Sequence, residues 1–128
     1  MIREAFHKDV PDIKKLVIIF AQKNLWPEQS GIGIDEQTIE TMIRFYIRFD
    51  RGFAWVHETK GKIDGFFIGG VEPYMLDLRK NAAHELMSGG EGVSEMWNEF
   101  VQQAKQKNAA TAVLGCYSES NGSRFRRT

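Results

Sequence analysis

The chain has 128 residues, and its 17 basic residues balance 17 acidic ones, so its formal net charge is zero. This length predicts a single domain over residues 1–128, and a hydrophobic content of 42% is enough for one core. Balanced charge gives no electrostatic reason to expect nucleic acid or an anionic membrane as a partner. The single cysteine, Cys116, rules out an intrachain disulfide or a cysteine metal cluster and favours a reducing, cytoplasmic setting.

The first half of the chain predicts a strand followed by two helices. Ile2–Phe6 is typical of a short strand. Apolar residues at helical spacing predict a first helix over Val10–Asn24, with Asp9 as its N-cap. A second helix is predicted to begin near Asp35 and to end at Asp50-Arg51-Gly52. We expect neither a signal peptide nor a membrane span, since the longest apolar run is far too short to cross a bilayer.

The second half changes to the alternating pattern of strands. Phe53–Glu58 and Ile63–Val71 predict an antiparallel hairpin, and a less regular segment begins at Glu72. The further predicted elements are a central strand over Asn81–Met87, a helix with its apolar face from Val93 to Ala104, a buried strand over Ala110–Tyr117 and the start of a helix at Ser123–Thr128.

These elements predict an α+β fold. The strand–helix–strand unit from Asn81 to Tyr117 is expected to form a right-handed parallel crossover, whereas the hairpin before it is antiparallel. The sequence therefore predicts a mixed, mostly antiparallel central sheet with helices on both faces.

A glycine-rich turn, Ser88-Gly89-Gly90-Glu91-Gly92-Val93, opens directly into the third helix. Backbone N–H groups at such a turn and at a helix N-terminus bind phosphate. Glycine also begins many helices for purely local reasons, so the motif alone leaves both interpretations open.

Four segments, taken in this order, resemble the GNAT superfamily of N-acetyltransferases, in particular its small phage-type or degenerate members. Ile2-Arg3-Glu4-Ala5 is similar to the opening strand of the family, and Gly65–Gly70 to its third strand. Met96–Ala104 resembles the helix after the pyrophosphate loop, and Asn121–Arg126 the short helix after the fifth strand. The resemblance covers nearly the whole chain.

The resemblance implies acetyl-coenzyme A as co-substrate. The pantetheine arm would lie between two parallel strands, here Ala83–Met87 and Ala112–Tyr117, and the pyrophosphate would rest on the backbone amides of the glycine-rich turn. The implied cofactor-binding residues are Met87, Ser88, Gly89, Gly90, Gly92, Val93 and Asn121.

The chain departs from the family pattern of that loop, which is Arg or Gln, two residues, Gly, one residue, Gly or Ala. With Gly90 and Gly92 as the glycines, the first position is Met87. With the helix setting the register, the first position is Ser88, and neither register supplies the Arg or Gln. The tyrosine that often protonates the thiolate would lie near Phe125.

The family normally continues into two more strands, which we expect to be absent here because the sequence ends at Thr128. An open sheet edge would result, and a homodimer could cover it.

Candidate catalytic residues lie beside the expected cofactor cleft. His84 and Glu85 should point to opposite faces of their strand, so at most one can line the site. We predict Glu85 as the general base, directly or through a water, with Glu72 as a second candidate. Tyr117 is predicted to donate a proton to the leaving thiolate.

An acceptor pocket or subunit contact is predicted from three exposed aromatic residues, Trp26, Phe45 and Phe49. No metal site is expected. The predicted function is transfer of acetyl to an amine of a small molecule or protein. The expected location is the cytoplasm, or the host cytoplasm or the virion if the protein is encoded by a phage. The alternatives are a catalytically inactive GNAT-fold virion or interaction protein, and a structural dimer that binds no coenzyme.

Overall fold

The structure is a computed structural model. It describes residues 1–23, 33–74, 76–118 and 122–127, and from residue 113 onward it describes the backbone only. Predictions that concern Trp26 and Asn121 fall outside these residues. None of the described helices is both long and apolar enough to cross a membrane.

The centre of the fold is a six-stranded sheet whose strands follow one another in chain order. Among the described strands, only β4 and β5 pair in parallel, and every other neighbouring pair is antiparallel. The strands are β1 (Ile2–Glu4), β2 (Gly52–Thr59), β3 (Lys62–Tyr74), β4 (Asp77–Gly90), β5 (Ala109–Ser118) and β6 (Gly122–Arg127).

Helices cover both faces of this sheet, as the sequence predicted. A 3-10 helix (His7–Asp9) runs directly into α1 (Val10–Lys23), which packs together with α2 (Glu36–Arg48) on one face. The third helix, α3 (Val93–Gln106), packs on the other face. We refer to these as the α1/α2 face and the α3 face.

Alternation along the strands divides the core into two layers. On the α3 face, Phe67 stacks on Trp55 and lies 5.0 Å from Phe100 of α3 between ring centroids. On the α1/α2 face, Phe66 and Ile68 of the same strand pack with Ile13 of α1 and its neighbours. Both layers are fully closed to solvent at their centres, so burial of apolar side chains on both faces of β3 holds the helices against the sheet.

Three boundaries differ from the sequence-based prediction. β3 continues through Pro73 to Tyr74, and β4 begins at Asp77, so the segment predicted as irregular is the end of a long hairpin. β4 also extends through the predicted turn to Gly90.

The helix predicted at Ser123–Thr128 is wrong, because Gly122–Arg127 form β6 and pair with β5 from Val113 to Ser118. β5 therefore has a neighbour on the edge that was expected to be open. The homodimer stays a prediction.

An ion pair joins the first strand to the first helix. Asp9 is 4% exposed, and its carboxylate accepts hydrogen bonds from the guanidinium of Arg3 at 2.8 and 3.1 Å and from the backbone N–H of Phe6 at 2.8 Å. The hydrogen bonds from Arg3 lower the pKa of the Asp9 carboxyl against the opposing effect of burial. The contact fixes where α1 begins relative to β1.

Candidate functional site

The two parallel strands part in the middle of the sheet. β4 and β5 pair only from Asn81 with Ala109 to His84 with Val113. Beyond that point β4 continues to Gly90 beside β3 alone, and β5 continues to Ser118 beside β6. The parting leaves a gap between two strands of one sheet, which we call the β4–β5 gap.

A bulge in β4 lies at the start of this gap. Met87 pairs with Ile68 and Glu85 with Gly69, so two residues of β4 that are not adjacent pair with consecutive residues of β3. The extra residue is Leu86, which is 42% exposed. A bulge bends its strand and increases its local twist, so this one accounts for the departure of β4 from β5.

A tight turn leads from β4 into α3 at the same end of the gap. Gly90 has φ +83° and Gly92 has φ +75°, a left-handed conformation in which glycine carries no steric cost. Gly92 is the N-cap of α3 and supplies no side-chain hydrogen bond to its first turn. The first-turn amides of α3 are thus not covered by a capping side chain. Glu91 is exposed, so its charge points away from the packed part of the turn.

Close backbone contacts hold the turn in place. The N–H of Glu91 donates to the carbonyl of Asp64 at 2.9 Å, and a Cβ on Gly65 would lie 1.9 Å from the Glu91 carbonyl oxygen. A Cβ on Gly92 would lie 2.3 Å from Cδ2 of His57. Nδ1 of His57 is 2.6 Å from a carboxylate oxygen of Asp64, and this hydrogen bond lowers the pKa of the Asp64 carboxyl. The turn is therefore fixed by its contacts with β2 and β3.

Two residues predicted to bind cofactor are engaged in packing. Gly89 is a buried residue of β4, and a Cβ there would lie 2.7 Å from the ring of Phe20 on α1. Met87 packs against the core layer of the α1/α2 face. Their backbones remain at the gap, but the absence of a side chain at Gly89 is explained by the approach of α1.

Glu85 and Ser88 belong to the α3 face. Glu85 is half-buried and its carboxylate accepts a hydrogen bond from the Ser88 hydroxyl. The Ser88 oxygen in turn accepts from the indole N–H of Trp97 at 3.1 Å. Glu85 is the first residue of β4 beyond its pairing with β5, so its carboxylate lies at the start of the gap.

His84 points to the opposite face, as alternation predicted. It pairs with Gly70 of β3, whose neighbours in the α1/α2 core layer include Ile68. Glu72, two residues farther along β3, has a carboxylate oxygen 4.0 Å from Nε2 of His84. Glu72 and His84 thus lie together on the α1/α2 face, whereas Glu85 lies on the α3 face.

The remaining predicted site residues are placed only in part. Val93 is the first residue of α3, and Tyr117 lies in β5 within its pairing to β6. Phe45 of α2 and Phe49, which directly follows α2, are stacked with ring centroids 5.3 Å apart, and Phe45 is 53% exposed. Among the side chains that the structure describes, no group of three or more His, Cys, Asp or Glu is arranged to hold a metal ion.

Sequence reasoning missed the contacts that His57, Asp64 and Tyr46 make near the site, because no local pattern indicates them. His57 and Asp64 lay in predicted strands and Tyr46 on the apolar face of a predicted helix. Only the pairing of β2 with β3 and the packing of α2 on the sheet bring these residues to the site.

No family model matches the sequence, and no curated protein matches it. Solved structures do match. A possible acetyltransferase from Clostridium difficile 630 is 17% identical with a TM-score of 0.67, and the match covers 94% of this chain and 81% of that one. A predicted acetyltransferase from Clostridium acetobutylicum, solved with acetyl-CoA, is 15% identical with a TM-score of 0.66, and covers 89% of this chain and 79% of that one.

An aminoglycoside acetyltransferase from an uncultured soil metagenomic sample, solved in complex with sisomicin, is 14% identical with a TM-score of 0.62. That match covers 94% of this chain and 80% of the other. At such identities the likeness concerns the fold. The chain has the fold of the GNAT superfamily, with its mixed and mostly antiparallel sheet between helices.

Proposed function

We propose that the protein is an N-acetyltransferase that moves acetyl from acetyl-coenzyme A to an amine. The observation that carries this proposal is the β4–β5 gap, which opens at His84 and ends at the uncapped first turn of α3. A slot between strands beside a helix N-terminus suits a ligand that joins a thin acyl arm to a pyrophosphate. The acetyltransferase solved with acetyl-CoA has the same fold and adds support.

The residues at the gap fit such a ligand. The backbone N–H groups of Gly90, Gly92 and Val93 would receive the pyrophosphate, because the turn is glycine-rich and is held by β3 through the N–H of Glu91. The backbone groups of Met87 and Ser88, which do not pair with β5, would line the slot for the acyl arm. We propose Asn121 as a further contact on the basis of the sequence resemblance alone.

The reaction requires one proton to leave the acceptor before it attacks. The ammonium gives up a proton, its nitrogen forms a bond to the carbonyl carbon, and the C–S bond breaks as the thiolate leaves. The products are an amide, the free thiol of coenzyme A and one released proton. We propose Glu85 as the group that takes the first proton, since its carboxylate lies at the start of the gap, and Tyr117 as the donor to the thiolate.

Calorimetric titration with acetyl-coenzyme A, and with coenzyme A for comparison, tests the proposal. We expect saturable binding of both at micromolar concentration, followed by acetylation in a screen of amines that monitors free thiol. Absence of binding at millimolar ligand would contradict it.

The second candidate function is that of a catalytically inactive domain that binds a protein partner, in a virion or elsewhere. It is favoured by the loop, because neither register supplies the Arg or Gln of the family pattern. Met87, the first position in one register, is partly buried against the core layer of the α1/α2 face. Binding of neither acetyl-coenzyme A nor coenzyme A by the folded chain would favour this candidate.

A further inference from the structure

A polar cluster lies on the α1/α2 face where the β4–β5 gap opens. Its members are Glu72 at the end of β3, His84 on β4 and Tyr46 on α2. His84 is the last residue of β4 that pairs with β5. A molecule bound in this cluster is therefore next to the start of the gap.

The distance between Glu72 and His84 leaves room for a hydrogen-bond donor between the two side chains. Nε2 of His84 and Oε1 of Glu72 are 4.0 Å apart, which is too long for a direct hydrogen bond. The Glu72 side chain is 48% exposed and that of His84 is 30% exposed, so both are reachable from solvent. A cationic N–H donor can hydrogen-bond to a carboxylate and to a neutral imidazole nitrogen at the same time.

Aromatic rings complete the cluster above Gly70. This glycine pairs with His84, and a Cβ on it would lie 3.4 Å from a ring carbon of Tyr46 and 3.6 Å from one of Phe49. Burial, and then the charge of Glu72, raise the pKa of the Tyr46 hydroxyl. A carboxylate beside the faces of aromatic rings attracts ammonium groups.

We propose that Glu72, His84 and Tyr46, with Phe49 beside them, form the binding site for the acceptor, and that the acceptor is a primary amine carried as its ammonium ion next to an apolar or aromatic group. The role as an acceptor site rests on the proposed acetyltransferase function. Glu72 holds the ammonium, the imidazole of His84 accepts a second N–H, and the rings of Tyr46 and Phe49 take the apolar part. An anionic acceptor would be repelled by Glu72.

Phenethylamine and 2-phenylethanol are matched probes, because they differ in the ammonium group and share the phenyl arm. Their binding to the whole chain is followed by NMR through the Gly70 amide and the His84 ring. We expect phenethylamine to bind about fivefold more tightly than the alcohol, with Glu72→Gln removing the difference. Glu99→Gln, on α3 across the sheet, is the control and should leave both affinities unchanged. Phe49→Leu should weaken both probes.

Equal affinity for the two probes, or an unchanged preference in Glu72→Gln, would overturn the assignment. A parallel titration with acetyl-coenzyme A separates the two proposals. If the coenzyme binds and the amine does not, the acceptor site is wrong and the proposed function stands. If the amine binds as described and the coenzyme does not, the ammonium site stands and the acetyltransferase proposal fails. Thermal unfolding of the Glu72→Gln variant checks that the fold stays intact, as expected for a side chain that is half exposed.

Discussion

Single residues decide how firmly the turn before α3 is held. Gly61 and Gly92 have nearly the same left-handed backbone, with φ +79° and +75°. A Cβ on Gly61 would meet nothing within 4 Å, whereas one on Gly92 would press on His57. His57 cannot move aside freely, because Asp64 holds its ring. A comparison of the same substitution at Gly61 and at Gly92 therefore separates the effect of backbone strain from that of steric contact.

We expect Gly61→Ala to lower the free energy of unfolding by about 1–2 kcal/mol through strain alone. Gly92→Ala should cost at least about 1 kcal/mol more, because it adds a clash in a packed region. Urea denaturation of the two variants measures the difference. Equal losses would show that His57 yields and that the turn is less constrained than its contacts indicate.

Glu85 is the residue on which the proposed proton transfer depends. Replacement by Gln keeps an oxygen that can accept the Ser88 hydroxyl but removes the basic group. We expect Glu85→Gln to lower kcat at least about a hundredfold while the Kd for acetyl-coenzyme A changes little. An unchanged kcat would mean that Glu85 is not the base. The base would then be sought on the α1/α2 face, and kcat of the His84→Asn variant would test it.

At the scale of elements, the bulge in β4 allows a test of the gap. Because Met87 and Glu85 already pair with consecutive residues of β3, deletion of Leu86 leaves every other pairing and face unchanged. The deletion removes the bend that separates β4 from β5. The gap should narrow without loss of either core layer.

We expect the Leu86 deletion to remain folded and to bind acetyl-coenzyme A at least about tenfold more weakly, because the bend that shapes the binding slot is lost. Leu86→Ala keeps the extra residue and is the matched control, with affinity close to that of the unaltered chain. Calorimetry gives both affinities, and circular dichroism checks the fold. Tight binding by the deletion variant would mean that the gap is not the binding slot.

The junction of β1 and α1 predicts how stability depends on pH. Arg3 lowers the pKa of the Asp9 carboxyl in the folded chain. A group whose pKa is lower in the folded state stabilises at pH above its unfolded pKa, about 3.9 for Asp, and this contribution is lost as pH falls further. We therefore expect Asp9→Asn to be less stable than the unaltered chain at pH 7, with the difference shrinking below about pH 4. A difference that is constant with pH in acid denaturation would contradict this.

At the scale of the whole molecule, the sequence predicted those elements whose position depends on the local periodicity of apolar residues. The helices and the first hairpin follow from apolar spacing and turn residues, and both faces of the sheet are covered as expected. β6 was missed because its segment contains three arginines and one apolar residue, so that no strand alternation shows. The segment is a strand because it pairs with β5 in the folded chain, a tertiary contact that its own sequence does not indicate.

The site was predictable only in its parts. The glycine-rich turn was visible because glycine is required where φ is positive. The bulge at Leu86 was not, since leucine carries no signal for a bulge. The meeting of Tyr46, Glu72 and His84 depends on residues up to 38 positions apart, which only the packing of α2 on the sheet brings together.

Ligand binding and global stability are linked in a way that separates the two candidate functions. A ligand that binds only the folded chain adds about 2.7 kcal/mol to the free energy of unfolding at a free concentration 100 times its Kd. We expect acetyl-coenzyme A to raise the unfolding transition, and to slow amide hydrogen exchange most along β4 beyond Glu85, where β5 leaves the strand unpaired. The Leu86 deletion should weaken both effects at the same concentration of ligand. An inactive interaction domain without the slot would show neither in the unaltered chain, because nothing in its folded state would distinguish the coenzyme from any other solute.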